Sequence, residues 1–83
     1  MNKKIVISNL EEAANELEAI LARLSTDIEY SEDQFQVNLE HVYHHLNMAW
    51  NIRHTTSELY ANMTDDQFNE WSKFPKEMQT YSI

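Results

Sequence analysis

Leu10, Ala14, Leu17, Leu21, Leu24 and Ile28 recur at spacings of 4, 3, 4, 3, 4. An apolar stripe of that heptad-like period faces a partner helix along its length. The spacing predicts a first helix over about 8–27. Its start is read from "SNLE", a capping box in which Ser8 accepts from the Glu11 amide while the Glu11 side chain reaches back. Glu11, Glu12, Glu16 and Glu18 crowd its first half, where the helix dipole favours negative charge.

A second stripe has the same spacing: Phe35, Leu39, Val42, Leu46, Ala49 and Arg53. A second capping box, "SEDQ" from Ser31, precedes it, and Tyr30 and Phe35 have the spacing of a hydrophobic staple. The short connection returns this helix antiparallel against the first. That pairing sets Ile28 near Phe35 and Leu10 near Arg53, and so puts Arg53 among Glu11 and Glu12. The second helix is expected as one continuous element over about 32–63, although "HTTSE" offers a cap between Thr55 and Glu58. A third capping box, "TDDQ" from Thr64, with Met63 and Phe68 as its staple, opens a short helix over about 65–73. Phe74-Pro75 ends it, because the residue before a proline avoids the helical region. Residues 74–83 form a weakly patterned tail. The fold expected is all-α: one domain over 1–83, a long antiparallel hairpin plus a short C-terminal helix.

The second helix is apolar on two sides. Opposite its first stripe lie Val37, His41, His45, Met48, Ile52, Leu59 and Met63. Two apolar sides call for two neighbours, and the third helix is too short to cover the second side. A second copy of the chain supplies the missing cover, so the expectation is a homodimer, forming a four-helix bundle, with those seven residues at the interface. Tyr43, Trp50, Tyr60, Phe68, Trp71 and Phe74 are expected to join the distal half of the second helix to the third as core.

Composition narrows the function. The 83 residues include no cysteine, which excludes a disulfide and a thiolate metal site, and no glycine, which excludes glycine-rich phosphate loops. The formal charge is −8, and between Ile5 and Ser72 the only basic side chains are Arg23 and Arg53. Nucleic-acid binding runs on phosphate neutralisation by Lys and Arg, so direct DNA or RNA binding is not expected. An anionic membrane surface repels the chain for the same reason. A basic protein partner suits it better. "MNKKIVISNL" lacks the apolar core and cleavage site of a signal peptide, and no stretch is apolar enough to span a bilayer. A cytoplasmic location is therefore expected.

The candidate chemistry sits in "EHVYHHLNMAW", residues 40–50. His41 and His45, four apart, share a helix face and could both reach one metal ion. A third ligand is missing, because Glu40 points about 100° away from His41. The chain also lacks the Glu-x-x-His pair of helical di-iron sites. Polar packing at the second face is preferred, with His44 nearer solvent; no cofactor is expected. Ser57 with His54 is the nearest approach to a nucleophile and base, but no glycine turn supplies an oxyanion hole. An enzyme is not expected. The leading reading is a small acidic module that works through protein–protein contacts. The alternatives are a histidine-based metal-binding bundle and an acidic inhibitor or nucleic-acid mimic of phage or mobile-element type.

Overall fold

Helix α1 runs Lys3–Thr26, starting five residues before "SNLE". Tertiary bonds set that start. The Asn2 side chain makes no cap bond to its own helix. Instead its Nδ2 donates to Thr55 O at 2.9 Å and to Ser57 Oγ at 3.2 Å, and its backbone amide donates to Arg53 O at 2.6 Å. Ser8 and Glu11 consequently lie inside the helix. Its far end closes when the Ser25 and Thr26 hydroxyls donate back to Leu21 O and Ala22 O, and when the Asp27 amide reaches Arg23 O.

Helix α2 runs Glu32–Asn51 and opens with both halves of the Ser31–Gln34 capping box in place. The Tyr30 and Phe35 rings meet edge to face at 6.5 Å, and the Arg23 guanidinium lies 4.2 Å over Tyr30. The expected continuation of this helix to Met63 is not found. The Thr55 amide turns back to Ile52 O, and the Thr56 hydroxyl caps a separate helix α3, Ser57–Ala61. Hydroxyl-bearing residues compete with the helical ladder in this way and favour caps. Helix α4, Asp65–Trp71, carries the full Thr64–Gln67 capping box, and a 3₁₀ turn follows at Lys76–Met78. This computed structural model describes residues 1–78 of the 83, so the end of the tail, from position 79 onward, lies outside the described residues.

The two long helices pack antiparallel, but α1 is rotated by one residue from the expected stripe. The buried positions are Ile5, Asn9, Ala13 and Ile20, not Leu10, Leu17, Leu21 and Leu24. Ile28 is fully exposed in the turn. Ala13, Ile20 and Val42 form one cluster, with Phe35 against it. Ile5, Met48 and Ile52 form another, covered by Val6, Tyr60, Met63 and Trp71. The break after Asn51 makes that cover possible, because it folds α3 and α4 back over the end of the hairpin. Asn47 and Asn51 hold α4 in place by donating to the carbonyls of Ser72, Trp71 and Lys73.

The register also differs from the expected one. Asn9 meets His45 and Glu16 meets His41, so Leu10 lies beside Leu46, and the backbone of Arg53 is met by Asn2, further along the same groove. Arg53 forms no ion pair with Glu11 or Glu12. Its guanidinium sits 3.7 Å over Trp50, donates to Trp50 O at 2.8 Å and lies 3.9 Å from Glu77.

Candidate functional site

Asn9 is the one buried polar residue among those described, at 1 % exposure. Its Nδ2 donates to Ile5 O at 2.9 Å and to the Tyr60 hydroxyl at 3.1 Å. A carbonyl can only accept, so the amide is oriented with Oδ1 towards His45. His45 Nδ1, 3.1 Å from that oxygen, must then be the donor, which fixes the neutral imidazole as its Nδ1–H tautomer. One asparagine thus ties α1 to α2 and α3. Among the described residues no buried side-chain nitrogen or oxygen is left without a partner.

Burial holds the His45 imidazole below the ordinary histidine value, and neighbouring His41 and His44 push the same way; Glu12 and Glu16 pull against them. A lowered folded value favours the neutral ring. The stability this contributes is present above the unfolded value of about 6.5 and is lost as pH falls through the folded value. A urea midpoint that drops between pH 7.5 and pH 5.0 in the natural chain, and drops less in His45→Gln, is the expected result.

The remaining histidines do not join a common site. His41 Nδ1 lies 3.5 Å from Glu16 Oε1, and its side chain is 63 % exposed. The His41 and His45 rings are 5.6 Å apart. His44, expected near solvent, instead packs edge-on against Phe68 of α4 at 6.0 Å. Among the described residues no group of three His, Cys, Asp or Glu is placed to hold a metal ion. Ser57 Oγ accepts from Asn2, which makes it part of the joint between α1 and α3.

The face expected to need a second subunit is broken up by the fold. Met48 and Ile52 are buried in the hairpin's own core, Met63 packs against them, and His45 faces Asn9. Val37 and Leu59 are exposed, one on α2 and the other on α3.

A different apolar surface takes its place. Leu10, Leu17, Leu21 and Leu24 of α1, with Leu39 and Leu46 of α2, account for six of the seven leucines in the chain, and none of the six is buried. Leu21 is 63 % exposed and Leu24 is 55 % exposed. The core is built instead from isoleucine, valine, alanine and methionine. In an antiparallel pair, residues displaced by about 100° in the same sense from each buried stripe fall on one side of the hairpin. Leu10 and Leu46 do line one groove there, with Val6, Trp50 and Arg53 at its open end. Helix α4 packs on another side of α2, through His44, Asn47 and Asn51. The five leucines of known exposure on this face leave roughly 400 Å² of side chain in water, as much as the largest patch on an ordinary monomer.

Both ingredients of this surface are present in the sequence. Leucines at heptad spacing are the larger apolar signal and predict a core stripe. The weaker stripe beside it, Ile5, Asn9, Ala13, Glu16 and Ile20, carries two polar residues. The signal that could have found it is Asn9 itself, which matches His45 as a polar partner across the seam.

The class these features define is an all-α helical hairpin capped at its open end by short helices. Comparison of the chain with known protein families, curated proteins and solved structures finds no match. Among the described residues no helix is long and apolar enough to cross a membrane.

Proposed function

We propose that this protein is a small non-catalytic interaction module that works through protein–protein contacts made by its leucine face. One observation carries the reading: six leucines share one side of the hairpin while the hydrophobic core is built from other residues. Leucines in water stabilise nothing, whereas in contact with another helix each contributes on the order of 1–3 kcal/mol on burial. The rest of the chain suits a binding role. Its acidic surface, net −8, favours solubility and repels nucleic acid.

A photo-reactive amino acid placed at Leu17 in the native host is expected to cross-link to protein, and the same group at Asn15, on another side of α1, is not. Absence of any protein adduct at Leu17 would overturn the reading.

A further inference from the structure

We infer that the occupant of the leucine face is a second copy of this chain, laid antiparallel across the first to make a four-helix bundle. This rests on the reading of the leucine face as a contact surface and names its partner.

The argument comes from what stands at the ends of the leucine ladders. On α1 the seven-residue series is Lys3, Leu10, Leu17, Leu24. On α2 it is Glu32, Leu39, Leu46, followed by Arg53 just past the helix end. Each ladder of a heptad series keeps its side of the helix. The leucine face therefore begins with Lys3 and Arg53 at the open end of the hairpin and finishes with Glu32 at the turn.

The charge on the two long helices follows the same division. The first turn of α1 carries Lys3 and Lys4, whereas the turn end carries Asp27, Glu29, Glu32 and Asp33 beside Arg23; the remaining basic residues of the open end, Arg53, Lys73 and Lys76, are matched there by Glu58, Glu70 and Glu77, with Arg53 close to Glu77 and Lys73 close to Glu70. The two ends lie about 36 Å apart along a 24-residue helix, well beyond the Debye length of about 8 Å. They cannot neutralise one another within one molecule.

Lys3 and Lys4 are also misplaced for their own helix. Positive charge in a first turn opposes the helix dipole, and the first turn of α1 holds no acidic residue to offset it. Two copies side by side and parallel would bring both acidic turns together. Two copies antiparallel put Lys3 and Lys4 of each against the acidic turn of the other, and the leucines of the two faces meet between. The leucines alone supply about half of what each partner contributes to a stable interface of ordinary size, and the charged ends extend the contact.

The test is the oligomeric state, measured by sedimentation equilibrium over micromolar concentrations. The natural chain is expected to dimerise. Leu17→Glu with Leu21→Glu should raise the dimer dissociation constant at least about 100-fold, because four carboxylates per dimer then lie in the apolar seam. Both residues are exposed, so far-UV circular dichroism should show the helices retained. Lys3→Glu alone and Glu32→Lys alone should each weaken the dimer on the order of tenfold. The two together, which leave the net charge at its natural value, should restore it.

A natural chain that stays monomeric through 100 μM overturns the inference. If Leu17 nevertheless cross-links to a different protein in the host, the contact-surface reading survives without self-pairing. A dimer unaffected by the Leu17 and Leu21 substitutions overturns the assignment of the face. Failure of the paired charge swap to restore affinity overturns the antiparallel arrangement.

Discussion

Ile20→Ala should cost the folded chain about 2–5 kcal/mol, and Leu21→Ala, one residue along, less than about 0.5 kcal/mol. Ile20 is 4 % exposed and closes the cluster with Ala13 and Val42, whereas Leu21 is 63 % exposed. Removing three carbons from the buried site leaves a cavity beside alanine, which has no side chain to fill it. Removing them from Leu21 takes leucine surface out of water. For a domain of this size 1 kcal/mol moves the melting temperature by about 4–8 °C, so the two variants should separate by about 6 °C or more. The measurement belongs at concentrations low enough for a monomer, since Leu21 is also part of the proposed contact. The leucine stripe read as the core predicts the reverse order. Equal losses in the two variants would exclude the rotation of α1 described above.

The second large effect is expected at Asn9. Asn9→Ala removes the donor to Ile5 O and Tyr60 and the acceptor for His45, and should destabilise by about 1–3 kcal/mol. Tyr60 and His45 are only partly buried, so water can recover some of what they lose. That keeps the cost at the scale of one lost buried polar group. A double-mutant cycle of Asn9→Ala with His45→Ala should show a coupling of about 0.5 kcal/mol or more, as groups in one hydrogen-bond network do. Strictly additive losses would mean that Asn9 supports only its own helix. The same bond explains why the pH response at His45 is tied to the hairpin seam: a charged ring at that position is penalised by burial and by His41.

Much of the architecture was legible in the chain. Helical periodicity in two stretches, a short connection with a capping box, and the Thr64–Gln67 box were enough for two long antiparallel helices and a short C-terminal one. These signals are local. A cap is satisfied by residues three apart, and a heptad stripe needs only its own helix to be recognised.

The break after Asn51 was half legible. "HTTSE" contains the Thr56 cap, but the gain that makes the break favourable is long-range. It brings Tyr60, Met63 and Trp71 over Ile5, Met48 and Ile52, and no local pattern reports that cover. The start of α1 at Lys3 has the same origin, because Asn2 is held by Arg53, Thr55 and Ser57, more than fifty positions away. The candidate interface followed these errors. Met48 and Ile52 look unpartnered only when α3 is read as the end of α2 and α4 as too short to reach them.

The sequence by itself determined that this is an acidic all-α hairpin with leucines at heptad spacing, because charge, composition and period are properties of a single chain. Only the tertiary structure decided which stripe of α1 faces inwards. Two stripes one residue apart are both apolar enough to pack, and period cannot choose between them. The choice was made by fit across the seam: Asn9 meets His45, small Ala13 lets the helices approach near Val42, and Ile5 meets Met48 and Ile52. Those matches satisfy a buried polar group and fill the core together, and they leave the six leucines facing outwards.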